Sequence, residues 1–546
     1  MVSGSVIISS FAALTFTPML ATKLLIKREQ QSWFYRKTEP FFEGMNRVYS
    51  QSLAAFLKRR WIALPFTIVT ILLIGVLWNT IPAEMAPLED RSQISINTMG
   101  AEGVTYEYIR DYTEDINHLV DSIIPDAEAV TARVSSGSGN VRITLKDMKD
   151  RDYTQMEVAE KLSKAVQKKT MARSFVQQSS SFGGRRGGMP VQYVLQATNI
   201  EKLQEVLPKF MTKVYENPVF QMADVNLKFS KPEARININR DKASIMGVST
   251  KNIAQTLQYG LSGQRMGYFY MNGKQYEILG EINRQQRNKP ADLKGIYIRS
   301  DNGNMVQLDN LIELTGGIAP PKLYRYNRFV SATISAGLAD GKTIGQGLDE
   351  MDKIAKETLD ETFRTALTGD SKEYRESSSS LMFAFILAIV LIYLILAAQF
   401  ESFKDPLIIM LTVPLAIAGA LVFMYFGDIT MNIFSQIGII MLIGLVAKNG
   451  ILIVEFANQK QEAGEDKMRA IKDASLQRLR PILMTSASTI LGLIPLAFAT
   501  GEGCNQRIAM GTAVVGGMLI STLLTMYIVP AIYSYVSTNR SKLKTE

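Results

Sequence analysis

Cysteine and histidine each occur once in this chain of 546 residues. One cysteine cannot form an intrachain disulfide framework, and one Cys with one His leaves no zinc cluster. The Gly/Ser-rich stretch 179–190 carries paired arginines but no G-x-x-x-x-G-K-[ST] pattern, so it reads as a flexible loop rather than a phosphate cradle. No Ser/His/Asp set is evident, and His118 reads as an ordinary helix-surface residue. These absences argue against an enzyme, and no catalytic residue, cofactor or metal is expected. The N-terminus also lacks the basic region of a secretory signal, and its apolar run continues past Pro18. It reads as part of a membrane span, which suggests a chain that starts partway into a larger architecture.

On its own a net charge of +9 would suit nucleic acid, but its placement does not. The excess falls in 27–60, 460–480 and 539–546, each beside an apolar run, and no basic strip interleaved with aromatics appears elsewhere. Basic residues flanking spans set membrane orientation by the positive-inside rule. Residues 27–60 hold eight Lys or Arg against three Glu, with Trp33, Phe34, Tyr35, Phe41 and Phe42 between them, as in a helix lying on the inner membrane surface.

Apolar runs predict seven spans: 1–26, 61–82, and about 380–399, 406–426, 432–457, 481–499 and 508–536. The five last fall within 376–540, and 541–546 forms a cytoplasmic tail. The basic linker 458–480 falls inside, which puts the long polar stretch between the second and third spans outside. There the pattern alternates between period 2 and period 3.6. Strands at 93–99, 128–134, 140–145 and 175–178 with helices at 105–124 and 155–169 make one split β-α-β-β-α-β unit, within 83–188. A second starts with strand 191–197, helix 200–216 and strands 225–229 and 234–238. It closes with helix 345–359 and strand 364–367, after an insertion rich in Gly and Tyr. That gives a second unit of 189–238 and 319–375, interrupted by 239–318.

Lys448 sits near the middle of the run 432–458. The cytoplasmic end lies about nine residues or roughly 13 Å away, too far for a lysine stem to reach. A cation at that depth costs roughly 2.5–3.5 kcal/mol on insertion scales, so an ion or proton pathway is the default reading. A structural lysine held by carbonyls or by Glu455 is the alternative. The next span opens with Arg478-Leu-Arg480-Pro481 and reaches Thr485 two turns later. Arg480 reads as a mouth anchor. Arg478 and Thr485 can face one neighbour, and Thr485 can link a protonation site to water. The run Gly511 to Thr522 is rich in small residues and reads as close helix packing.

Four stretches, Gly444–Ala457, Arg478–Ser486, Ala398–Phe403 and the Gly-Gly-Met-Leu-Ile-Ser-Thr-Leu-Leu run of the last span, resemble the C-terminal half of a resistance-nodulation-division efflux pump of the hydrophobe/amphiphile multidrug type. The resemblance implies an α-helical polytopic bundle with a periplasmic α+β porter region of two split subdomains, the second interrupted by a docking domain. It implies spans six to twelve of twelve, with a pair of aspartates on a span upstream of Met1. It places proton-relay roles on Lys448, Arg478 and Thr485. It also implies a homotrimer in the bacterial inner membrane, joined to a periplasmic adaptor and an outer-membrane channel and exporting amphiphilic small molecules by proton antiport. A heavy-metal or lipid exporter of the same superfamily and a non-transporting scaffold fragment are the rivals.

Overall fold

The computed structural model describes residues 2–24, 33–178, 189–320, 322–339 and 341–538. The paired-arginine loop and the C-terminal tail 541–546 lie outside them. The described chain divides into a helical unit, residues 1–82 with 377–500 and 504–546, and a β-rich unit, 83–376 with 501–503.

The helical unit begins with α1 (Val2–Leu24), α2 (Trp33–Lys58) and α3 (Ala63–Thr80). Helix α2 is amphipathic: Tyr49, Leu53 and Leu57 are buried, and the Tyr49 hydroxyl donates to the Met526 carbonyl at 2.6 Å.

In the β-rich unit, β1 (Gln93–Met99), α4 (Tyr106–Ile123), β2 (Ala129–Ser135), β3 (Ser138–Thr144), α5 (Gln155–Gln167) and β4 (Arg173–Gln178) form an antiparallel sheet in the order β2-β3-β1-β4. Strict alternation puts Ile94, Ile96, Val141 and Ile143 on the face covered by Tyr112, Ile116, Val158 and Leu162 of the two helices. Thr105 caps α4, and Thr154 with Glu157 forms a capping box on α5, satisfying the orphan donors of each first turn. His118 is exposed on α4.

The second unit opens with β5 (Val191–Ala197), α6 (Ile200–Glu216) and β6 (Phe220–Val225). Here the structure departs from the sequence reading. The apolar alternation at Val225, Leu227 and Phe229 is not a strand. Asn226 ends β6 by bonding the backbone of Thr333, and Leu227 is buried from a loop. The expected strand 234–238 is part of β7 (Lys231–Ile238), which leaves this sheet altogether. It pairs with β12 (Ile312–Ala319), Lys231 opposite Ala319 and Ile238 opposite Ile312, as the stem of the insertion. Between them lie α7 (Arg240–Ile245), α8 (Thr250–Ser262), β8 (Gln264–Met271), β9 (Lys274–Gly280), β10 (Tyr297–Arg299) and β11 (Met305–Gln307). The β8–β9 hairpin turns at Asn272-Gly273, both at positive φ, the geometry for which an Asn-Gly pair is suited. Arg284 of the insertion holds Glu107 of α4 in a two-pronged ion pair of 2.5 and 2.7 Å, which pulls the Glu107 carboxyl down to about 2.

The chain returns through β13 (Tyr324–Tyr326), β14 (Phe329–Leu338), α9 (Ile344–Thr358) and β15 (Arg364–Leu367). The order β6-β14-β5-β15 repeats β2-β3-β1-β4, so β14 is the counterpart of β3 displaced by the whole insertion.

The remaining helices are α10 (Gly369–Phe400), α11 (Asp405–Met410), α12 (Thr412–Phe426), α13 (Ile433–Glu462), α14 (Lys467–Ala497) and α15 (Cys504–Val536). Among the described residues, six helical stretches are long and apolar enough to cross a membrane, with α11 and α12 together making one. The first expected span is also helical, as α1. The span expected from 481 starts at Lys467 instead, with Pro481 inside the helix, so Arg478 and Thr485 share one continuous helix. Helix α15 packs against α12, α13 and α14. Its glycines are what permit this: a Cβ at Gly517 would lie 2.3 Å from Leu442 Cδ1 and 2.9 Å from the Ala416 carbonyl.

Candidate functional site

Lys448 lies near the middle of the 30-residue α13, roughly 20 Å from either end. Helical spacing places it on a stripe with Ile437, Met441 and Gly444, all exposed. A Cβ at Gly444 would meet nothing within 4 Å. Lys448 is therefore exposed on an outer face of the helical unit. No ion pair or hydrogen bond joins it to another described residue. Glu455, the in-chain alternative, accepts from Gln459 Nε2 at 3.0 Å instead.

Arg478 does not reach Thr485. Its guanidinium stacks on the Phe456 ring of α13, 4.4 Å from the centroid, and its Nε is buried with no hydrogen-bond partner among the described residues. Thr485 is half-buried and donates to its own helix, at the Ile482 carbonyl, 3.1 Å. Arg480 pairs with Glu39 at 3.1 Å and stacks on Phe42, tying α14 to α2 as an anchor does.

The residues that do meet are the ones next in sequence. Asn449 Nδ2 donates to Ser486 Oγ and to Thr522 Oγ1, each at 3.3 Å, and Thr522 Oγ1 donates to Ser486 Oγ at 3.2 Å. All three are buried, on α13, α14 and α15. A second buried network lies further along α13. Asn458 Nδ2 donates to Asp405 Oδ2 at 3.1 Å, Tyr533 donates to Asn458 Oδ1 at 2.5 Å, and Gln461 Nε2 donates to the Tyr533 hydroxyl at 2.6 Å. Sequence reasoning passed over both networks. The available signal was an amide at a core position of an apolar helix, where a carboxamide is costly without partners.

The profile of the AcrB/AcrD/AcrF family matches residues 1–537. The chain belongs to that family. It is also similar to an uncharacterized transporter of Haemophilus influenzae, 30% identical over 551 residues, which cover 99% of this chain and 53% of the relative. The chain thus spans about half the length of that curated relative. With its apolar helices, this member of the family is a multi-pass inner-membrane protein.

Proposed function

We propose that this chain supplies the relay half of a proton-driven exporter of amphiphilic compounds, drawn from the periplasm or the outer leaflet. The observation that carries the reading is Lys448: a cation at mid-helix, on an exposed stripe of a membrane-spanning helix, with no partner among the described residues. Facing lipid there it would cost several kcal/mol, so its face calls for a surface bearing carboxylates. In this reading that surface belongs to the part of the transporter outside this chain, which the chain's span of about half of its relative supports.

In this reading Lys448 pairs with the carboxylates when they are ionised. Protonation removes the attraction, the helices shift as rigid bodies, and the outer domains follow. Arg478, clamped on Phe456, and Thr485 flank the same step. Seven spans, a porter region of two split subdomains, a docking insertion, a homotrimer, an adaptor and an outer-membrane channel complete the reading. The family match and the repeated sheet order support it.

The test is Lys448→Ala in cells making the complete transporter. Export of an amphiphilic dye such as ethidium should fall to the level of cells lacking the transporter, with normal amounts of protein in the membrane. Retained export, or export insensitive to a protonophore, would rule the reading out.

A further inference from the structure

Two adjacent pairs, Lys448-Asn449 on α13 and Thr485-Ser486 on α14, share one arrangement. The second member of each is buried, and the two buried members touch. Helices α13 and α14 are consecutive, joined by a short turn, and packed antiparallel. In a right-handed helix each residue is rotated by about 100° from the last. Viewed along one axis, that rotation runs in opposite senses in two antiparallel helices. The residues just before a touching pair therefore leave the contact on the same side of the plane through both axes. Asn449 touching Ser486 thus puts Lys448 and Thr485 on one side. Thr522 of α15 joins the pair from the core. A rotation of α13 by one residue that brought Lys448 to the place of Asn449 would bury the ammonium against α15 and carry Asn449 to the buried place of Gly450, beside Ile409 and Thr412 and away from Ser486 and Thr522.

We propose that Asn449 is the positioning residue of the site. Its carboxamide holds α13 in rotational register with α14 and α15, so that Lys448 and Thr485 address one partner surface. Close helix contacts alone leave that register free to slip, because most of the surrounding side chains are aliphatic. A donor satisfied by two hydroxyls on two different helices fixes it, since slipping leaves a buried amide unpaired. The assignment rests on the relay reading above.

The experiment measures dye export by the complete transporter in everted vesicles as a function of pH. Asn449→Leu keeps the volume and removes the donors. It should lower the rate about tenfold and move the pH midpoint of export by about one unit, because the pairing of Lys448 with its carboxylates is altered. Thr522→Val removes one hydroxyl and should shift the midpoint in the same direction by less. The double variant should be no worse than Asn449→Leu alone, as groups acting in one unit are not additive. An unchanged midpoint in Asn449→Leu overturns the proposal. If that variant fails to accumulate, Thr522→Val decides, and an unchanged midpoint there overturns it equally. Loss of export in Lys448→Ala with wild-type midpoints in both variants sinks the positioning role alone. Retained export in Lys448→Ala sinks the relay reading itself.

Discussion

On the core side of α13, Asn449 gives its amide hydrogens to hydroxyls on two neighbouring helices, while one residue earlier Lys448 stands on an exposed stripe with no described partner. The two residues have similar needs, since neither an amide nor an ammonium is tolerated in hydrocarbon without partners. One side of the helix meets that need within the chain and the other does not. The core side is a finished interior. On the proposed reading, the stripe Ile437–Met441–Gly444–Lys448 is an interface.

Substitutions on the two sides should therefore behave differently. The largest effect belongs to Gly517→Leu on the core side, where even a Cβ would press on Leu442 and on the Ala416 carbonyl. We expect at least about 1–3 kcal/mol of destabilisation, read as a lower midpoint in a denaturant titration of the detergent-solubilised protein. Gly444→Leu faces open space and should leave that midpoint within about 0.5 kcal/mol. If the stripe is an interface, the same variant lowers export by the complete transporter. Normal export from Gly444→Leu would break the comparison.

Much of this was legible in the sequence, and the failures have physical causes. The helix 200–216 and strand 191–197 could be read directly because their periodicities are clean and their ends are marked by Asn199 as cap and by the turn at Asn217. Strand β14 escaped because two of its three pairing partners, β5 and β6, precede it by the whole insertion, and local pattern carries no information about long-range pairing. The strand 234–238 was real, but its sheet was misassigned for the same reason. At the site, Lys448 was conspicuous because a charge in an apolar run is conspicuous. Asn449, Ser486 and Thr522 were not, since single small polar residues in spans are common as helix glue. The exposure of Lys448 could not be read at all, because which face of a helix is covered depends on neighbours that the pattern does not name.

A smaller effect comes from Arg478→Lys. Lysine keeps the charge but loses the planar stack on Phe456, a contact of about 0.5–2 kcal/mol. Export should fall severalfold, and Phe456→Leu should lower it by a similar factor without adding to the first loss. Independent, multiplying losses would separate Arg478 from Phe456.

The smallest effect lies in the β-rich unit, in the Glu107–Arg284 pair between the insertion and α4. The pair is exposed, and it contributes little at neutral pH. Its sign is nonetheless defined. Arg284 lowers the Glu107 carboxyl from 4.5 to about 2, so the contact is present above the ordinary carboxylate range and is lost only as pH falls toward 2. A carboxyl carbon resonance for Glu107 should still report the ionised form at about pH 3.5. A midpoint at the ordinary value would show that the pair does not form in solution.

The central claim is that Lys448 trades contacts with carboxyl groups as protons move. Proton flux driven by substrate, in proteoliposomes holding the complete transporter under an imposed pH gradient, tests it most directly. We predict that Lys448→Ala stops substrate export and its accompanying proton flux together. Export and proton flux at wild-type rates in that variant would contradict the account.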